Sequence, residues 1–195
     1  IYEELDTLNP PNKKELKEFI DLITEVKIQK DTYNRGSRNM VDLLELVKDC
    51  YYSPLMKGSN SLKQVLPAIL ADMPSLKSKY SRQGLYGKGL EINSRNFDDK
   101  AWLQEQYDWD PYKNLPKLFS EKENQFIVTG EDMTDLNNGS AAMMAHSLLQ
   151  FSDIPEEKRI VYRDSLLRYC ELDTLAMVIL VEGFEKMKNC NLKLT

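Results

Sequence analysis

Tyr169-Cys170-Glu171-Leu172-Asp173 sets a phenol and a carboxylate four residues apart. On an α-helix that spacing stacks both side chains on one face. The pair suits two-metal phosphodiester hydrolysis. The Asp173 carboxylate would hold a divalent ion, and the Tyr169 hydroxyl, one turn away, would orient the attacking water. Tyr2 and Asp6 repeat the spacing, and nothing around them points to chemistry. A plainer reading stands beside the catalytic one: Tyr169 and Asp173 as structural residues of a helical domain.

Nucleophilic catalysis has little to work with. Any Ser-His-Asp or Cys-His site needs His146, the single histidine. It lies in Ala-Met-Met-Ala-His-Ser, which reads as a packed or surface position on a helix. No G-x-S-x-G elbow and no phosphate-binding G-x-x-x-x-G-K-[ST] loop occurs. Gly84, Gly87 and Gly89 have the wrong spacing for a dinucleotide fingerprint and read as loop glycines. Glu25-Val-Lys27 has the E-x-K form of some metal nucleases, but the pattern places it on an amphipathic helix rather than a strand.

The elements that must carry Tyr169 and Asp173 are mostly helical. Pro10 and Pro11 precede a helix capped by Asn12 with Glu15, whose apolar face is Leu16, Phe19, Ile20, Ile23 and Val26. Residues 30–38 read as a loop, and 39–42 as a short strand before a helix with Leu43, Leu44, Val47 and Cys50 inward. Ser61 caps a helix with Leu62, Val65, Leu66 and Ile69 inside, which Pro67 should bend or shorten. Residues 82–96 read as an exposed loop, and 97–122 as irregular. Phe126–Thr129 reads as a short strand, Asn137-Asn138-Gly139 as a turn, and Ser140 as a helix start. The final run, about 156–188, is the longest helical pattern, broken at most once.

The 195 residues carry 26 bases and 31 acids, 42% hydrophobic residues and 29% charged. That balance excludes a disordered chain or a histone-like polycation. No apolar run approaches a bilayer span, so no membrane partner is expected. Cys50, Cys170, Cys190 and His146 are too few for a structural zinc site and too scattered for a disulfide framework, which fits a reducing, cytoplasmic setting. Charge is uneven along the chain. Between Tyr51 and Gly89 six bases (Lys57, Lys63, Lys77, Lys79, Arg82 and Lys88) face one acid, Asp72. Sharing a face, they would bind single-stranded nucleic acid weakly and with strong salt dependence. The alternative is a solvated surface whose charges balance in three dimensions.

Arg168–Met177 resembles the third motif of DEDDy-type 3′–5′ exonucleases, which have a ribonuclease-H-like fold. More broadly, the chain resembles a bacterial family, domain-of-unknown-function family twenty-seven seventy-nine, through nearly its whole length. The anchors are Arg38–Leu43, Tyr51–Pro54, Met56–Lys63 with Val65–Pro67, Lys79–Ser81, Tyr86-Gly87, Asp110–Lys113, Leu115-Pro116 and Tyr169–Met177. The resemblance implies a site of four acids holding two Mg²⁺ or Mn²⁺ ions, with Tyr169 and Asp173 catalytic and Asp173 the fourth metal ligand. Asp42 resembles an aspartate on a later strand, outside the usual four. In such enzymes the first two acids form D-x-E, and no aspartate here is followed two residues later by glutamate.

The expected fold is therefore α-rich α/β. It would be the C-terminal portion of a ribonuclease-H-like exonuclease fold, with mostly helices and few short strands. Residues 1–195 would form a single truncated domain with a family-specific irregular insert at 82–136. The upstream part of the same polypeptide would supply the missing acids, and this piece alone would be inactive with no metal bound. A non-catalytic nucleic-acid or protein interaction module on a nuclease-like fold remains the alternative.

Overall fold

The structure is a computed structural model and describes residues 2–29, 32–82, 84–97, 101–116 and 139–191. It is helix-rich, with two small antiparallel sheets of two strands each. The chain divides into two compact units, Ile1–Asp49 and Cys50–Thr195.

In the first unit, α1 (Glu4–Leu8) ends at Asn9, whose left-handed backbone (φ 42°) returns its N–H to Leu5 O. Next comes α2 (Lys13–Ile23), and Asn12 precedes it without a side-chain capping bond. This helix stops sooner than its apolar spacing implies. Thr24 is extended, and Val26 lies half-exposed on β1 (Glu25–Gln29) rather than on the helix. The expected loop at 30–38 contains β2 (Thr32–Arg35), antiparallel to β1 with Glu25 opposite Arg35. Residues 39–42 form no strand. Gly36, Arg38 and Met40 instead donate their N–H groups to carbonyls of Thr24, Leu22 and Ile23. Gly36 is obligatory there, because a Cβ would lie 2.1 Å from Leu22 O. The unit ends within α3 (Leu43–Cys50), where Asp42 Oδ1 accepts from Leu44 N. Of the four residues expected inward, Val47 alone is buried; Leu44 and Cys50 are exposed.

The second unit is organised around α4 (Leu62–Asp72) and a long C-terminal helix, α7 (Glu156–Asn191). Val65, Leu66, Ala68, Ile69 and Leu70 of α4 are buried. So are Leu172, Leu175, Ala176, Ile179 and Leu180 of α7. These two apolar faces make the core in which the hydrophobic effect holds the unit together. Pro67 sits inside α4, yet the helix continues to Asp72. The close approach depends on Gly183, where a Cβ would come within 2.8 Å of Ile69 Cγ2. No break interrupts α7.

Around this pair lie α5 (Pro74–Tyr80), α6 (Gly139–Phe151) and a hairpin of β3 (Leu85–Tyr86) with β4 (Ile92–Asn93). The expected exposed loop at 82–96 is thus partly a hairpin. Gly84 and Gly87 are buried in left-handed conformations that supply its turns, and Ser94 is buried. Two-residue strands are too short to leave a period-2 signal in sequence. The irregular stretch after it supplies core: Phe97, Trp102, Leu103 and Tyr112 are nearly fully buried, with the Phe97 and Trp102 ring centroids 4.4 Å apart at a tilt of 38°. The expected strand at 126–129 and most of the turn at 137–139 lie outside the described residues. Among the described residues no helix is long and apolar enough to cross a membrane.

Candidate functional site

The site begins with a turn. Asp110 precedes a short 3₁₀ turn (Pro111–Asn114) and accepts the Tyr112 N–H at 3.0 Å, while Pro111 pre-sets the first helical φ. Just upstream, Asp108 and Trp109 are both left-handed, with φ of 55° and 61°. Two consecutive non-glycine residues in that region store local strain. Lys113 bonds Asp108 at 2.6 Å across this bend, and Lys77 Nζ lies 5.2 Å from the Trp109 ring centroid. The outcome is a fixed, buried Tyr112.

Tyr112 donates its hydroxyl to Asp173 Oδ1 at 2.7 Å. Tyr169 and Asp173 are both half-buried on α7, one turn apart. Burial, and then the Asp173 carboxylate, push the Tyr169 phenol up to about 12. The same two causes push Tyr112 up strongly, burial first. Lys63, in the first turn of α4, completes the group. Its Nζ lies 5.5 Å from the Tyr169 ring centroid and 5.6 Å from that of Tyr112. Burial pulls the Lys63 ammonium down, opposed by the Asp173 and Asp110 carboxylates. Asp110 is itself pushed up by burial.

The neighbouring Glu171 is committed elsewhere: it accepts from the backbone N–H groups of Arg95 and Asn96 and from Asn96 Nδ2. It anchors the segment after β4 to α7. On the next turns of α7, Thr174, Met177, Val178 and Val181 line an open groove of about 390 Å³.

The six bases of the 51–89 stretch separate into different environments. Lys63 enters the Tyr–Asp cluster, and Lys77 lies over Trp109. Lys79 bonds both oxygens of Glu182, at 2.9 and 2.8 Å, and the Lys88 carbonyl. Lys88 Nζ is 3.6 Å from Glu185. Lys57 and Arg82 are exposed.

The other candidates have local explanations. His146 is exposed on α6 and contacts Gln150. Asp6 is held by Lys17 and Lys13, which draw its carboxyl below the usual range. Glu25-Val-Lys27 lies on β1, not on a helix as its pattern indicated, because α2 ends at Ile23. Its Glu25 is engaged by Arg35 at 2.7 Å.

The described residues around Asp173 do not by themselves make a two-metal centre. Among the described residues no three His, Cys, Asp or Glu side chains converge as metal ligands. Asp173 is bonded by a phenol and lies near an ammonium instead. Sequence reasoning missed Tyr112 as a member of the site and assigned Lys63 to a different surface. A tyrosine two residues after Asp110 in a capped Asp-Pro turn was the available signal, but nothing local says what it faces. No family model, curated protein or solved structure matches the chain.

Proposed function

We propose that this chain is the C-terminal helical portion of an exonuclease-like domain that handles nucleic acid, with Tyr169 and Asp173 as its site residues and no hydrolytic activity of its own. One observation supports the reading. A phenol and a carboxylate stand half-buried, one turn apart, on a helix whose next residues, Leu172 and Leu175, belong to the core. Two hard cations about 4 Å apart need several converging carboxylates. No such set converges on Asp173 among the described residues, and no step of hydrolysis is assigned to this chain. The test incubates it with labelled single-stranded DNA and RNA in Mg²⁺ or Mn²⁺. No shortening is expected. Processive 3′-end shortening that disappears in Asp173→Ala would overturn the inactive assignment. Filter retention of the same strands at low salt, declining steeply as salt rises, is expected of a nucleic-acid-handling domain. No retention at low salt removes that part of the proposal.

A second reading, a non-catalytic interaction module, is favoured by the placement of Lys63. An ammonium over the rings of Tyr112 and Tyr169, the first of which donates to Asp173, suits a structural or binding role better than a metal ligand.

A further inference from the structure

We infer that Lys63 is the resident cation of this site: its ammonium, over the rings of Tyr112 and Tyr169, takes the electrostatic role near Asp173 that a divalent ion would otherwise fill. The assignment deepens the second reading, the non-catalytic module, and rests on Tyr169 and Asp173 being the site. Three features carry it. The ammonium is placed against two π-faces at 5.5 and 5.6 Å, a geometry that holds a cation in place. The hydroxyl of Tyr112, one of those two tyrosines, donates to Asp173 Oδ1 at 2.7 Å, so that oxygen is already engaged. Lys63 is half-buried, and a partly desolvated ammonium needs anionic compensation, which Asp173 and Asp110 supply.

A divalent ion entering at Asp173 would meet a like charge close by and would have to share the carboxylate with the Tyr112 hydroxyl, which already takes Oδ1. Removing the lysine charge reverses the balance. Two partly buried carboxylates are then left without their cation, and a hard ion that keeps several of its own waters suits that deficit.

The experiment titrates Tb³⁺ into the protein and reads tyrosine-sensitised emission, with Mn²⁺ competition as a second measure. Wild type is expected to show no emission that Asp173→Asn removes. Lys63→Gln is expected to gain a site at least about tenfold tighter than any in wild type, and Lys63→Gln with Asp173→Asn is expected to lose it. Binding in Lys63→Gln no tighter than in wild type overturns the inference. A measurement on wild type alone avoids dependence on the variant's folding. Mn²⁺ at millimolar concentration should leave the Tyr112 and Tyr169 ring resonances unbroadened, and selective broadening of both overturns the inference. These readouts need no nucleic acid, so failure here is distinct from failure of the nucleic-acid reading.

Discussion

Two places on α7 use the same three chemical groups to different ends. At Glu182 a carboxylate, a tyrosine and a lysine close completely. Lys79 donates to both carboxylate oxygens, Tyr80 donates to Oε1 at 2.7 Å, and Glu182 is 8% exposed. At Asp173 the tyrosine bond is as short, but the lysine lies over the rings and the carboxylate stays half-buried. Their origin in the chain explains the contrast. Lys79 and Tyr80 are adjacent on α5, so one helix delivers both partners together. Lys63 and Tyr112 come from separate segments, and their positions are set by different packing contacts. A closed triad is a structural lock. An open one leaves groups available for chemistry or binding.

The largest expected effect comes from breaking the lock. Glu182→Gln strands the partly buried Lys79 ammonium, and stability should fall by about 3 kcal/mol, read from the urea midpoint. Asp173→Asn should cost about 1 kcal/mol, because that site is more open. Equal losses for the two would erase the distinction between them. Gly183→Ala falls between those two. Its new methyl meets Ile69 Cγ2 inside the core, so overpacking of about 1–3 kcal/mol outweighs the gain in helix propensity. Thermal unfolding checks it, and an unchanged or raised midpoint would mean that α4 and α7 move apart freely.

The open site should also show itself in titration. Tyr169 is expected to ionise near 12, against an ordinary value of 10.0. Asp173→Asn should bring it part of the way back, since burial remains the larger cause. Ultraviolet absorbance in alkali, compared with Tyr169→Phe, isolates the group. The sign for stability follows. The folded state holds this proton more tightly than the unfolded chain, so the contribution is complete below pH 10 and is lost as pH rises through about 12. The smallest effect belongs to His146→Ala. An exposed helix histidine should change stability by no more than about 0.5 kcal/mol and leave nucleic-acid retention untouched.

Much of the helical framework was readable in advance. The start of α4 after Ser61 with its apolar face, the long run of α7, and the helical placement of Tyr169 with Asp173 all follow from spacing. The β1–β2 hairpin was not readable, because Val26 continues the helical period of α2 and its strand is defined by pairing across to Asn34. The hairpin at Leu85–Tyr86 escaped notice for the opposite reason: two residues per strand leave no period at all. In the basic stretch, charge sign was visible but pairing was not. Glu182 lies 103 residues from Lys79, and no local pattern links them.

By itself the sequence determined which residues share a face: Tyr169 with Asp173, and Val65 with Ile69. Helical geometry repeats every few residues, and so it can be read from neighbours alone. Tertiary structure decided what each face meets. It brought Tyr112 onto Asp173 across 61 residues and set Lys63 over two rings. It also tied Lys79, partly buried, to Glu182. Those outcomes depend on which distant side chain fills the space and supplies the opposite charge, a choice that packing makes only when the chain has closed on itself.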